Sequence, residues 1–86
     1  MSQLSLSDYE KRMEKLAHNR ALILKIVNAR PGLTYEEIGK EFLLLYGFLP
    51  TIDNRIRELR MLGYVVTVEE NGRLHVYPKN ENKKKE

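Results

Sequence analysis

Between residues 51 and 62 the chain reads Thr-Ile-Asp-Asn-Arg-Ile-Arg-Glu-Leu-Arg-Met-Leu. Ile52, Ile56 and Leu59 recur at steps of four and three, the spacing of one helical face. The opposite face then carries Asn54, Arg57 and Met61, with Thr51 and Glu58 on one edge and Asp53 and Arg60 on the other. Asn and Arg are the side chains that hydrogen-bond adenine and guanine edges bidentately. A base-reading helix works mainly through its N-terminal half, which makes Asn54 and Arg57 the best pair. Thr51 and Arg55, near the helix start, are expected to reach phosphates. The competing reading is a solvated face on which Asp53, Arg57 and Glu58 pair locally.

A second candidate contact follows. Val65–Glu69 and Arg73–Tyr77 flank Asn71-Gly72, the strongest short hairpin signal. That turn pairs Glu70 with Arg73, Val68 with His75 and Val66 with Tyr77. Arg73 at the tip is placed to lie along a phosphate or enter a minor groove. Its alternative is a cross-strand ion pair with Glu70, worth about 1 kcal/mol or less. Glu69 and Glu70 repel DNA, so the tip is expected to be a weak contact. One hairpin face, Val65, Leu74 and Val76, is expected to cover the core. The other, Val66, Val68 and Tyr77, would stay wet in a lone domain, with His75 on that outer side.

Two upstream helices must position these groups. From Asp8 to about Ala29, Tyr9, Met13, Leu16, Ile23 and Val27 fall on one stripe. Ser7 or Asp8 suits its start, and Arg30-Pro31-Gly32 stops it. The apolar stripe broadens after Asn19. Asn19–Ala29 is therefore the expected core helix, and residues 8–18 an amphipathic extension, continuous or bent near Ala17–Asn19. The second helix opens at Thr34, where Thr34 and Glu37 make a capping box. Ile38, Phe42 and Leu45 form its predicted buried stripe, and Gly47 its stop. The spacing thus predicts three parts: an N-terminal lead-in and helical extension (1–18), a domain (19–78) and a polar, disordered tail (79–86).

Composition excludes more than it assigns. The chain has 86 residues, enough for one modest core, and 42% of them are hydrophobic. No apolar run approaches the length of a bilayer span, and the first residues lack a secretory signal pattern. There is no cysteine, which removes disulfides and thiolate metal sites and suits a reducing, cytoplasmic location. His18 and His75 do not make a metal site. A Gly-rich phosphate loop, a nucleophile motif and a paired acid and base are all missing, so no catalysis, cofactor or small-molecule ligand is expected. Net charge is +3, compatible with a nucleic-acid partner without demanding one. The charge is uneven: residues 8–30 carry six Lys/Arg against three acids, whereas residues 34–50 carry one against three. Lys83-Lys84-Lys85 is read as a solvated tail.

The succession Ala21–Val27, Gly32-Leu33-Thr34-Tyr35-Glu36-Glu37-Ile38-Gly39, Ile52–Leu59, Leu62-Gly63-Tyr64-Val65 and a hairpin resembles the winged helix-turn-helix proteins over about residues 19–78. The resemblance implies an α+β fold: a three-helix core, a short strand near Leu33 against a C-terminal hairpin wing, and here an extended N-terminal helix. It places the third helix in a major groove of double-stranded DNA. Members are most often dimeric transcriptional regulators of bacteria, archaea and archaeal viruses. The Lys/Glu-rich polar surface and missing cysteine lean towards a thermophilic archaeal or viral source. The expected DNA contacts are Thr51, Asn54, Arg55, Arg57, Glu58, Met61 and Arg73. Surplus apolar residues at Tyr9, Met13, Leu16, Val66, Val68 and Tyr77 suggest a homodimer interface. In it the N-terminal extensions pair or pack over a neighbour's hairpin. Leu43 and Leu44 are also left without a partner. Repression by promoter occlusion is the expected mode; the alternative is a winged-helix interaction or dimerisation module that reads no DNA sequence.

Overall fold

Arg30-Pro31-Gly32 divides the long first helix from everything that packs beneath it. The computed structural model describes residues 6–79, with side chains described from Glu10 onward. The lead-in before Leu6, the Tyr9 side chain and the polar tail from Asn80 with its lysine run therefore lie outside the described residues. Helix α1 spans Leu6–Ala29, β1 Leu33–Thr34, α2 Tyr35–Tyr46, α3 Ile52–Met61, β2 Val65–Glu70 and β3 Arg73–Pro78. The class is α+β, with three helices and one antiparallel sheet of order β1-β3-β2 among the described residues. The layout is consistent with a winged helix.

Helix α1 runs unbroken through Ala17–Asn19. Its two halves differ in what they bury. Ile23, Ile26 and Val27 are core residues, whereas residues 10–15 are all exposed. Gly32, at φ +92°, turns the chain into β1 and donates its N–H to the Val76 carbonyl at 2.8 Å. Only a residue without Cβ takes that φ without strain.

Helix α2 begins as its sequence requires. Thr34 Oγ1 accepts the Glu37 N–H at 3.2 Å, and Glu37 Oε1 accepts the Thr34 N–H at 2.9 Å. The Thr34 N–H holds the Glu37 carboxyl below its ordinary pKa. Gly47 closes the helix in the left-handed region and donates to the Leu43 carbonyl. The buried stripe is Ile38 and Phe42, and it continues to Tyr46 rather than to Leu45. The Tyr46 ring meets Phe42 edge-on at 4.8 Å, leaving Leu45 more than half exposed. The expectation that Leu45 is buried is therefore corrected.

The hairpin has the expected register: Glu70 faces Arg73, Val68 faces His75 and Val66 faces Tyr77. Asn71 and Gly72 turn it with φ of 56° and 78°, the paired positive values of a type I′ turn. Val65 and Val76 close the core under Ile56, Phe42, Ile38 and Ile23. Leu74, expected there too, is exposed. It sits one pair from the hairpin tip, beyond the helices that cover Val76.

Candidate nucleic-acid interface

Helix α3 is held by its inner face. Ile52, Ile56 and Leu59 are buried as their spacing requires, and Arg55 is buried with them at 8% exposure. Arg55 was expected to reach phosphates; instead its Nη2 donates to Glu58 Oε2 at 2.7 Å, on the same helix. Arg20 of α1 donates to the other oxygen, Glu58 Oε1, at 3.0 Å. Glu58 thus bridges two guanidinium groups across the α1–α3 seam. Partial desolvation pushes its carboxyl pKa up, but the hydrogen bonds from Arg20 and Arg55 outweigh this and leave it below its ordinary value. Two of the seven expected DNA contacts, Arg55 and Glu58, are therefore engaged in the α1–α3 seam. Helix geometry explains the correction for Arg55: position 55 lies on the same side of the wheel as Ile52 and Leu59.

The opposite side of α3 is open. Arg57 and Met61 are exposed and Asn54 is half-buried. Arg57 Nη2 donates to Asn54 Oδ1 at 3.0 Å, so the two residue types suited to base edges stand side by side. Thr51 is exposed at the helix start, with extended backbone and no side-chain cap bond. Arg60, on the flank, donates to Thr67 Oγ1 at 3.3 Å and ties α3 to β2.

Arg73 stands apart from that pair. Its guanidinium lies 3.9 Å from Glu36 at the start of α2, and both side chains are largely exposed. The Glu70 pair expected from the register is not made. Glu70 instead lies 3.9 Å from His75 Nε2. His75 is half-buried, not outward on a bare face, and its Nδ1 lies 2.8 Å from the Gly32 carbonyl oxygen. The short strand β1, expected near Leu33, pairs Thr34 with His75.

The residues expected at a dimer interface separate in the same way. Met13, Val66 and Val68 are exposed, and Leu16 is half-buried. Tyr77 is covered by its own chain: its hydroxyl would stand 3.3 Å from a Cβ placed on Gly32. Among the described residues no group of His, Cys, Asp and Glu could hold a metal ion, and no helix is long and apolar enough to cross a membrane. Comparison with known proteins gives no match, whether to family models, to characterised proteins or to solved structures.

Proposed function

We propose that the protein is a winged helix-turn-helix regulator that binds double-stranded DNA sequence-specifically through the outer face of α3, as a homodimer. The observation that carries this reading is the Asn54–Arg57 pair, bonded to each other and turned away from the core. Docking would exchange their mutual bond for base edges, Arg57 to guanine and Asn54 to adenine. Thr51 would take a phosphate at the helix start, and Met61 an apolar contact at its end. Arg73 on the wing would exchange a weak, solvated pairing with Glu36 for the DNA backbone. Two copies would read half-sites about one helical turn apart, and occupancy of a promoter would repress it.

Selection of bound sequences from random duplexes tests the reading, followed by mobility shift of the winner across salt. An enriched site is expected, with affinity falling steeply as salt rises and counterions are released. Failure to shift any duplex at low salt would overturn it. One observation favours a second reading, a protein-interaction module. Leu43, Leu44, Leu45, Phe48 and Leu49 are all exposed around the end of α2 and the following turn, apolar surface that a protein partner would cover.

A further inference from the structure

The sheet order β1-β3-β2 leaves two edges. One, β1, is two residues long; the other, β2, is six. The register decides which main-chain groups of β2 point away from β3. The Lys79 N–H donates to the Tyr64 carbonyl at 3.1 Å, so Tyr64 and Lys79 form a hydrogen-bonded pair. Alternation along the antiparallel ladder then turns the main-chain groups of Val66, Val68 and Glu70 towards β3. The N–H and C=O of Val65, Thr67 and Glu69 point outward, and none of them has a main-chain partner among the described residues.

Exposed edges are ordinarily blunted by lysine, proline, a bulge or a covering element. Val65–Glu70 contains neither lysine nor proline, and its register is continuous from Val65 facing Pro78 to Glu70 facing Arg73. Val66 and Val68 are open on one face. The only charges on β2 are Glu69 and Glu70, adjacent at one end. Glu69 has no ion-pair partner among the described residues, and Glu70 only approaches His75 at 3.9 Å.

We propose that β2 is the docking edge for an extended, basic segment of a partner protein, which adds to the sheet as an antiparallel strand. Its main chain pairs with the outward groups of Val65, Thr67 and Glu69. Its β-branched side chains lie beside Val66 and Val68, and two lysines or arginines stand opposite Glu69 and Glu70. Read from the end opposite Glu70, the segment is basic, basic, apolar, polar, apolar, polar. A second copy's β2 brings the same negative charge and no cation. The contact goes beyond the DNA reading and does not depend on it.

A labelled, end-blocked peptide, Lys-Lys-Val-Thr-Val-Thr, tests this on the full chain without DNA. Its fluorescence anisotropy should rise to saturation as protein is added. Methylating the main-chain N–H of its threonines, which face β2, should abolish binding, whereas methylating those of its valines, which face solvent, should not. Glu69→Lys with Glu70→Lys should weaken binding by on the order of 10-fold, and Glu-Glu-Val-Thr-Val-Thr should then bind that variant in its place. Both glutamates are exposed, so circular dichroism of the variant should match wild type. On binding, amide exchange at Thr67 and Glu69 should slow, while Val66 and Val68 are already protected in the free chain. No binding at millimolar protein would overturn the proposal. So would equal binding of the threonine-methylated peptide, an affinity unchanged by the charge reversal, or self-association through β2 that excludes the peptide.

Discussion

Arg55 and Arg57 stand two residues apart on one helix in opposite surroundings. Arg55 is sunk in the α1–α3 seam against Glu58, while Arg57 lies in solvent with Asn54 as its bonding partner. The seam spends charge on architecture: Glu58 draws α1 to α3 through Arg20 and fixes how α3 is rolled. The outer face leaves its charge available. On this helix residue type says little about role, and angular position says most.

The sharpest way to break the contrast is Arg55→Ala. It strands part of a buried ion pair and should cost about 3 kcal/mol, the low end for such a loss because Arg20 still holds Glu58. Urea denaturation would read it, and a loss below about 1 kcal/mol would mean the seam contributes little. Arg57→Ala should do the reverse. Stability should stay within about 0.5 kcal/mol, while binding to the selected site weakens by about 1–3 kcal/mol. Equal losses on selected and random duplexes in a mobility-shift titration would leave Arg57 a phosphate contact only.

The contrast recurs at the helix starts. Thr34→Ala removes a side-chain cap and should lower stability by about 1 kcal/mol. Thr51→Ala removes no cap bond and should leave the melting temperature nearly unchanged; comparable shifts in the two melting curves would contradict this. The smallest effect is a dependence on acid. The Glu58 carboxyl is held below its ordinary value of 4.5 in the folded chain. Its contribution is therefore complete above the unfolded pKa and is lost as pH falls through the folded one. Glu58→Gln should be less stable than wild type at neutral pH, and the gap should close on acidification. A gap constant with pH would show that the charge of Glu58 is not what matters.

Much of this molecule was legible from local chemistry. Asn71-Gly72 admits few turns, so the hairpin register followed from two residues. Thr34 and Glu37 could satisfy each other's backbone in one way, so α2 began where expected. The inner face of α3 followed from period alone. What failed was tertiary. Leu45 and Tyr46 are both one turn from Phe42, and only packing of the aromatic pair decides which of them goes in. Leu74 alternates correctly, but its exposure depends on how far the helices extend over the sheet. For Arg55, residue type points to a phosphate while the angle points inward. The wheel already put it inward, yet the Glu58 and Arg20 partners that make burial tolerable lie on two different helices. His75 and Tyr77 are half-buried because the backbone at Gly32 lies against them, a cover that alternation along the hairpin does not show even with a strand expected near Leu33.

That sheet has one more consequence. With β1 against β3, the outer border of the sheet is β2, six residues long, whose Val66 and Val68 are bare on one side. A long border strand of this kind is a template for stray strand addition and fibrils. Glu69 and Glu70 sit at its far end as gatekeepers, repelling any like copy that tries to align in register. Two adjacent carboxylates at that end of β2 disfavour edge-to-edge pairing with a second copy.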